Sequence, residues 1–426
     1  MKKSSTVYAI PTREERKGFL EGQLRERARE WIEEMVNEEL DIALGIGRYE
    51  RSEERKGYRK GKRARSFTTR GGKHEIRFPR GEYFEAGPDG KKEWNSELLP
   101  RYARRTEAVE DALVMSYLCG TNTRKIRNAL GPLLAGAALS KSTVSRIVAR
   151  LSEHFDAWRN RDLSDEDIAI VFLDGFNLKI RIGRRVSSMP VLCAVGVRAD
   201  GTKELLALEI RASESEVAWE AVTNELCERG VKTPVLAVID GNKGLHKAVK
   251  NTWPWIEVQR CTKHKLENLY THAPKRLYDE IKADYHAIIY AANEAEGREA
   301  WKRFEKKWSK KCPGVVGSLN EGGDELITFF KYPESMRKAI RTTNCIERMN
   351  GEFRRRVKTQ GSLPNTDAGL KLLFGLFACG LISMRRLDGW RELPATVGQK
   401  RLQMGLIKSS DNVNYSGDSN GLDKAA

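Results

Sequence analysis

The chain has 426 residues, 40% hydrophobic and 32% charged, a length that accommodates two or three domains of ~100–200 residues each. Lys and Arg outnumber Asp and Glu by 76 to 59, and the net charge of +17 calls for a polyanionic partner, nucleic acid or an anionic membrane. The longest nearly unbroken apolar run, Leu372–Ile382, has 11 residues against the ~20 needed to cross a bilayer, which leaves nucleic acid as the expected partner.

The N-terminus reads Met-Lys-Lys-Ser-Ser-Thr, without the apolar segment of a secretory signal. Arg16–Leu44 follows as an amphipathic helix, with Leu20, Leu24, Ala28, Trp31, Ile32, Met35 and Leu40 spaced among dense charge. From Gly47 to Arg80 there are thirteen Lys/Arg against four Glu, a net +9 and about half the charge of the chain. Tyr49, Tyr58 and Phe67 are interleaved, and Gly57, Gly61, Gly71 and Gly72 predict a loop-like arm. Such an arm suits the DNA backbone, where each neutralised phosphate releases counterions; Arg59, Lys60, Lys62, Arg63 and Arg65 are its expected contacts.

Residues 101–160 read as helical. A short stretch, Thr123–Leu130, precedes a helix that Ser140 caps and whose apolar face is Val144, Ile147, Val148 and Leu151. The pair fits either a helix-turn-helix, with Arg146 toward DNA, or a plain helical hairpin that serves dimerisation.

From Ile168 the pattern changes to strands. Ile168–Leu173 is a continuous apolar run, expected of a strand covered on both faces, and beyond Asp174-Gly175 the sequence alternates. Val191–Val197, an Asp200-Gly201 hairpin and Leu205–Ile210 complete three antiparallel strands. A helix over Ser213–Arg229, a strand Val235–Ile239, a helix from about Asn242 and a strand near Ile256–Arg260 extend the order to β-β-β-α-β-α-β. That order predicts an α/β fold with a mixed five-stranded sheet. Leu266 to Lys331 is helical in pattern, with stripes at Leu277, Ile281, Tyr285 and Ile288 and at Trp301, Phe304 and Trp308. The two tryptophans fit either the core or stacking on a flipped base. Thr342–Thr359 and Leu370–Met384 read as further helices, and the Ser/Asn/Asp/Gly-rich tail from Ser409 as disorder. The seven cysteines are scattered and never spaced CxxC, which fits a reducing cytosol.

Two buried strands end alike, in Asp-Gly, at Asp174 and Asp240. A carboxylate leaving a buried strand is costly unless it is paired or bound to a cation. Asp-Gly is also a turn dipeptide, but the alternation runs straight through Asp174; Asp240 could instead cap the following helix. A third acid, Glu347, shares a helix face with Asn344, Asn350, Gly351 and Arg354, a face that suits a substrate backbone or plain solvent, while Ile346, Met349, Phe353 and Val357 form the buried stripe. Carboxylates gathered together repel and imply a metal, and oxygen-only ligands favour two Mg²⁺ (or Mn²⁺) ions arranged for phosphodiester transfer.

These motifs, in this order, resemble the Mutator-type transposases of bacterial insertion sequences, a DDE family with an RNase H-like core. The resemblance rests on Val-Phe-Leu-Asp174-Gly, Val-Ile-Asp240-Gly-Asn-Lys-Gly-Leu, Gln259-Arg-Cys261-Thr-Lys-His264, and Arg341-Thr-Thr-Asn344-Cys-Ile-Glu347-Arg-Met-Asn350, and covers residues 45–390. It implies that Asp174, Asp240 and Glu347 are the catalytic, metal-binding triad and that a helical insertion separates the second acid from the third. Cys261 and His264 supply only two ligands of the four that structural zinc requires; packing or a DNA contact is their expected role, as supporting residues with Asn344 and Asn350.

The expected organisation is a basic N-terminal DNA-binding region (1–100), a helical region (101–160), an RNase H-like core (161–265 and 336–390), an all-α insertion (266–335) and a partly disordered tail (391–426). The expected activity is metal-dependent cleavage at element ends and strand transfer of the 3′-hydroxyl into target DNA. The expected partners are terminal inverted repeats, target DNA and a second copy of the chain, in the bacterial cytoplasm at the nucleoid. Arg348, Arg354, Arg355 and Arg356 beside the third acid would add phosphate contacts. The alternatives are an RNase H-like nuclease or resolvase, and a catalytically silent DNA-binding protein.

Overall fold

A computed structural model describes residues 13–84, 90–118, 141–357, 362–363 and 365–406, and divides the chain into two compact units, Met1–Ala149 and Arg150–Ala426.

In the first unit a long helix, α1 (Arg13–Leu44), lies on an antiparallel sheet of β1 (Gly57–Thr69), β2 (Gly72–Phe84) and β3 (Lys91–Glu93), and α2 (Glu107–Leu118) follows. The basic stretch expected to be a loop-like arm is therefore a regular hairpin. Its glycines build the hairpin rather than break it. Gly72 has φ +110 at the end of the Arg70-Gly71 turn, and Gly61 has φ +80 at a bulge between Arg59 and Lys62. At Gly57 a Cβ would sit 1.9 Å from the Glu82 carbonyl oxygen, so no side chain fits. The alternation that defines β2 is plain in retrospect: Lys73, Glu75 and Arg77 face solvent while His74, Ile76 and Phe78 are buried. Ile76 and Phe78 join Val36, Leu40 and Leu44 of α1 in the core of this unit. The Thr123–Leu130 helix, the Ser140 cap and the helix-turn-helix or hairpin that they would form lie outside the described residues.

The second unit takes in the C-terminal part of α3 (Lys141–Arg159) and then β4 (Ile168–Ile182), β5 (Arg185–Arg198) and β6 (Lys203–Ile210). There follow α4 (Glu216–Glu228), β7 (Leu236–Ile239), α5 (Lys243–Thr252) and β8 (Glu257–Arg260). The five strands form one mixed sheet in the order β6-β5-β4-β7-β8, with β4, β5 and β6 antiparallel and β7 and β8 parallel to β4. β4 and β7 are central because their apolar runs are buried throughout, against Trp219, Val222 and Leu226 of α4 and Leu245, Ala248 and Val249 of α5. Past Asp174, β4 alternates as expected, Phe176, Leu178 and Ile180 in and Asn177 and Lys179 out.

Next come α6 (Thr262–Thr271), α7 (Tyr278–Ile289), α8 (Glu294–Lys311), α9 (Pro313–Gly322) and α10 (Glu334–Ile340). Trp308 belongs to the core here, with its Nε1 donating to Asp284 Oδ2 at 2.8 Å, and Trp301 donates to Asn320 Oδ1 at 3.0 Å. The chain then returns through α11 (Asn344–Val357), α12 (Thr366–Ala378) and α13 (Leu393–Gln403). α13 buries Leu393 and Val397 and sets Lys400 Nζ 2.9 Å from both Glu257 carboxylate oxygens. The expected disordered tail from Ser409 lies outside the described residues.

Candidate functional site

The parallel pairing of three neighbouring strands ends at one level, Leu173 of β4 beside Ile239, the last residue of β7, and Ile239 beside Arg260, the last of β8, whereas β4 itself runs on through Asp174 to Ile182 instead of ending in Asp-Gly. The next residues in each case are Asp174, Asp240 and Cys261, so two carboxyls and a thiol stand in a row at the C-terminal edge of the parallel strands, where α/β sheets place their sites. The Cys261 N–H donates to the Ile239 carbonyl at 2.7 Å, which fixes the end of that row. Asp240 is not the cap of the following helix. Asn242 is, its Oδ1 accepting from the Gly244 and Leu245 N–H groups, while Asp240 Oδ1 accepts from the Asn242 N–H at 2.9 Å.

The third acid reaches this edge on α11. Ile346, Met349 and Phe353 are buried, and Phe353 stacks on Phe176 of β4 with ring centroids 5.7 Å apart; the side chain of Val357 is not among those described. Hydrogen bonds then tie the entry to α11 to the start of α6. The Thr262 N–H donates to the Arg341 carbonyl at 3.0 Å, and Thr343 approaches Cys261 Sγ with its N–H (3.5 Å) and its hydroxyl (3.6 Å). Lys263 Nζ pairs with Glu347 Oε2, and His264 Nε2 lies 3.7 Å from Glu347 Oε1. That Oε1 is buried and has no hydrogen-bond partner, as is Asn350 Oδ1. Asn344 is exposed at the start of α11.

The electrostatics centre on His264. Burial pushes the Asp174 carboxyl up to about 7; the His264 charge works against this, and the neighbouring Asp240 charge reinforces it. Burial also raises Asp240, opposed by its Asn242 hydrogen bond, by His264 and by Arg260. His264 itself is lifted to about 9, by its hydrogen bond to Cys261 first and then by the charges of Cys261, Asp174 and Asp240. Burial would raise the Cys261 thiol, yet hydrogen bonds from His264 and Thr343 and the His264 charge hold it below its usual range. One imidazolium thus faces all three acids.

Sequence reasoning missed Glu214, Lys263 and Thr343. Burial and then Asp240 raise the Glu214 carboxyl, and a Cβ on Gly175 would fall 2.6 Å from Glu214 Oε1, so the glycine after the first acid makes room for a fourth. Glu214 falls in a loop before the Ser215 cap of α4, where no periodicity marks it.

The expected DNA contacts are dispersed. Arg59 pairs with Asp41 and Lys60 with Glu82, whereas Lys62 is exposed. Arg63 and Arg65 lie over the Phe78 ring at 5.3 and 5.0 Å, and the Arg65 guanidinium donates to the carbonyls of Leu99, Pro100 and Ala103. Both border a cleft of about 780 Å³ with Lys73, Arg101, Arg104 and Arg105; no acid is among the described residues that line it. The last three arginines follow the hairpin and were not singled out in the sequence. In the second unit Arg348 and Arg355 line a cavity of about 360 Å³ with Lys203 and Arg385, and Arg354 is exposed. The side chains of Arg146 and Arg356 are outside those described. Among the described residues no helix is long and apolar enough to cross a membrane.

Residues 3–379 match the sequence profile of a family described as "Transposase, Mutator family". The chain is 34% identical over 353 residues to the transposase for insertion sequence element ISRM5 of Rhizobium meliloti (strain 1021), covering 83% of this chain and 86% of that protein. It is 31% identical over 348 residues to the transposase for insertion sequence element IS256 in transposon Tn4001 of Staphylococcus aureus, covering 80% and 84%. Among solved structures, the Drosophila P element transposase strand transfer complex aligns with a TM-score of 0.27 at 12% identity, covering 72% of this chain and 90% of that one.

Proposed function

The chain belongs to the Mutator family of transposases, and from that premise we propose that it cleaves DNA at the ends of its element and joins the freed 3′-hydroxyl to target DNA, with Asp174, Asp240 and Glu347 as a DDE triad. The observation that carries the reading is the convergence of three carboxylates at one end of the sheet, two of them following strand positions in direct register and the third bound to them through His264. The strand order, with the first acid on the central strand, is read as an RNase H-like core. The helices of 266–335 are read as its all-α insertion.

The residues fit divalent cations. Two unit charges ~4 Å apart repel by ~4 kcal/mol at an effective dielectric of ~20, and bound cations would relieve the acids beyond what His264, Arg260 and Lys263 already do. The orphaned Glu347 Oε1 and Asn350 Oδ1 are oxygen donors of the kind that Mg²⁺ or Mn²⁺ takes. Asp174, Asp240 and Glu347 would hold two such ions, which, when bound, would activate the attacking oxygen and stabilise the leaving one. The protein's own groups do the rest. Lys263 and His264 fix the Glu347 carboxylate, Asn242 orients Asp240, and Gly175 makes room for the Glu214 carboxylate beside Asp174.

The basic cleft of the first unit and the arginines of α11 would hold phosphates, the former on terminal inverted repeats. Acting on two element ends makes a homodimer the smallest working assembly. The test is strand transfer of labelled terminal repeats with Mg²⁺, wild type against Glu347→Gln. Joined product from the wild type alone supports the reading. Equal joining by the variant refutes the triad, cleavage without joining indicates a nuclease or resolvase, and repeat binding without metal-dependent chemistry indicates a DNA-binding protein.

A further inference from the structure

Cys261 and His264 are drawn into the acid cluster, yet a thiol adds nothing to a site for hard cations. Magnesium takes oxygen ligands and leaves thiolates aside, whereas zinc and its neighbours in the transition series accept sulfur, nitrogen and oxygen together. In the sequence the pair amounts to two ligands, too few for zinc. Folding supplies a third. One ligand atom each from Cys261, His264 and Glu347 lies within 4.8 Å of the other two.

We propose that Cys261 Sγ, an imidazole nitrogen of His264 and Glu347 Oε1 form a site for one Zn²⁺-class cation, distinct in chemistry from the carboxylate site beside it. Each donor is available. Cys261 is 1% exposed and stands at the N-terminus of α6 without making a side-chain cap, where the helix dipole favours a thiolate. Thr343 touches its sulfur only at 3.5 and 3.6 Å. Glu347 offers Oε1 alone, because Oε2 is taken by Lys263, and that Oε1 is buried with no hydrogen-bond partner. His264 Nε2 is 3.7 Å from it. Three protein ligands leave a fourth position open to water or a substrate oxygen, as in zinc sites that do chemistry rather than hold a fold.

Glu347 belongs to both sites. A zinc ion on Oε1 withdraws the third acid from the hard-cation set, so the two occupancies compete for one oxygen. The inference stands on the proximity of the three donors and shares Glu347 and His264 with the transposase reading, whereas Cys261 belongs to it alone.

The probe is Co²⁺ alone, titrated into the full-length metal-free protein without DNA, so a chain with no strand-transfer activity tests it equally well. The expected result is a sulfur-to-cobalt charge-transfer band in the near ultraviolet with visible bands of tetrahedral intensity, saturating at one equivalent and displaced by Zn²⁺ but not by Mg²⁺ in similar amount. Cys261→Ser removes the charge-transfer band. Glu347→Gln changes the visible bands and weakens Co²⁺ by more than the ~10–100-fold that loss of a supporting partner costs. Asp174→Asn leaves the sulfur band in place. The assignment is overturned if wild type gives no charge-transfer band, if the band survives Cys261→Ser, if Glu347→Gln leaves spectrum and affinity unchanged, or if Asp174→Asn abolishes the band. Far-ultraviolet circular dichroism verifies the fold of each variant, and Glu347→Gln, on a partly exposed position, decides the matter should the buried Cys261→Ser fail to fold.

Discussion

Asp174→Asn should stabilise the metal-free protein at alkaline pH and do little at acid pH. The Asp174 carboxyl is 4% exposed and is held at about 7 in the folded chain against an ordinary 3.8. A group whose folded value is raised contributes its full stability below the unfolded value, and loses it as the pH rises through the folded value. At 1.36 kcal/mol per pH unit, the ionised carboxyl destabilises the fold by about 4 kcal/mol near pH 8 and by about 1 kcal/mol near pH 4.5. Asparagine keeps the shape and the bond that Oδ1 accepts from the Gly175 N–H at 2.9 Å, while the His264 attraction and the Thr343 hydrogen bond that it forfeits are already contained in the value of about 7. The gain near pH 8 is therefore about 4 kcal/mol, or roughly 8 °C in melting temperature for a unit of this size. The assay is thermal unfolding in chelator at the two pH values. A variant that melts no higher than wild type near pH 8, or gains equally at both, refutes the claim that burial and like charge strain this carboxyl.

Three further outcomes follow from the same geometry. Mg²⁺ or Mn²⁺ should stabilise the wild type near pH 8 by about 2.7 kcal/mol at a hundredfold excess over the dissociation constant, read as a higher melting temperature, and should stabilise Asp240→Asn far less; equal stabilisation of both would dissociate Asp240 from the cation. Phe353→Ala, which removes a buried ring stacked on Phe176, should cost about 3–5 kcal/mol in chemical denaturation, and a loss under about 1 kcal/mol would mean that α11 is not anchored to β4 there. In the first unit Lys62→Ala should weaken DNA evenly across sequences and lower the salt slope by about 1, whereas Arg65→Ala should also destabilise the fold by about 1–3 kcal/mol through the carbonyls that it leaves unpaired.

How much of this was legible in the sequence depends on where each residue sits. Asp174 and Asp240 could be read because a buried apolar run followed by a carboxyl is a local signal, and the element order and the mixed five-stranded sheet followed from the same runs, whereas the central place of β4 needed the fold. Glu347 could be placed on a helix face but not beside the other acids, since α11 lies more than a hundred residues beyond Asp240 and only packing of Ile346, Met349 and Phe353 brings it back. Glu214, Lys263 and Thr343 carry no pattern at all; their roles arise from contacts between distant segments. The hairpin was misread as a loop because its glycines were counted as breakers, although Gly57 answers to the Glu82 carbonyl and Gly72 to a turn, and the alternation of β2 runs between them. Arginine counts alone could not separate Arg65, which holds backbone carbonyls, from exposed Lys62.

The central claim is that Asp174, Asp240 and Glu347 hold the divalent cations of DNA strand transfer. Asp240→Cys exchanges a hard oxygen ligand for a sulfur that Mn²⁺ accepts far better than Mg²⁺ does. Strand transfer of labelled ends by Asp240→Cys should be lost with Mg²⁺ and recovered at least in part with Mn²⁺, with Asp240→Ala inactive in both. Activity of Asp240→Cys with Mg²⁺ equal to that of wild type would contradict the account.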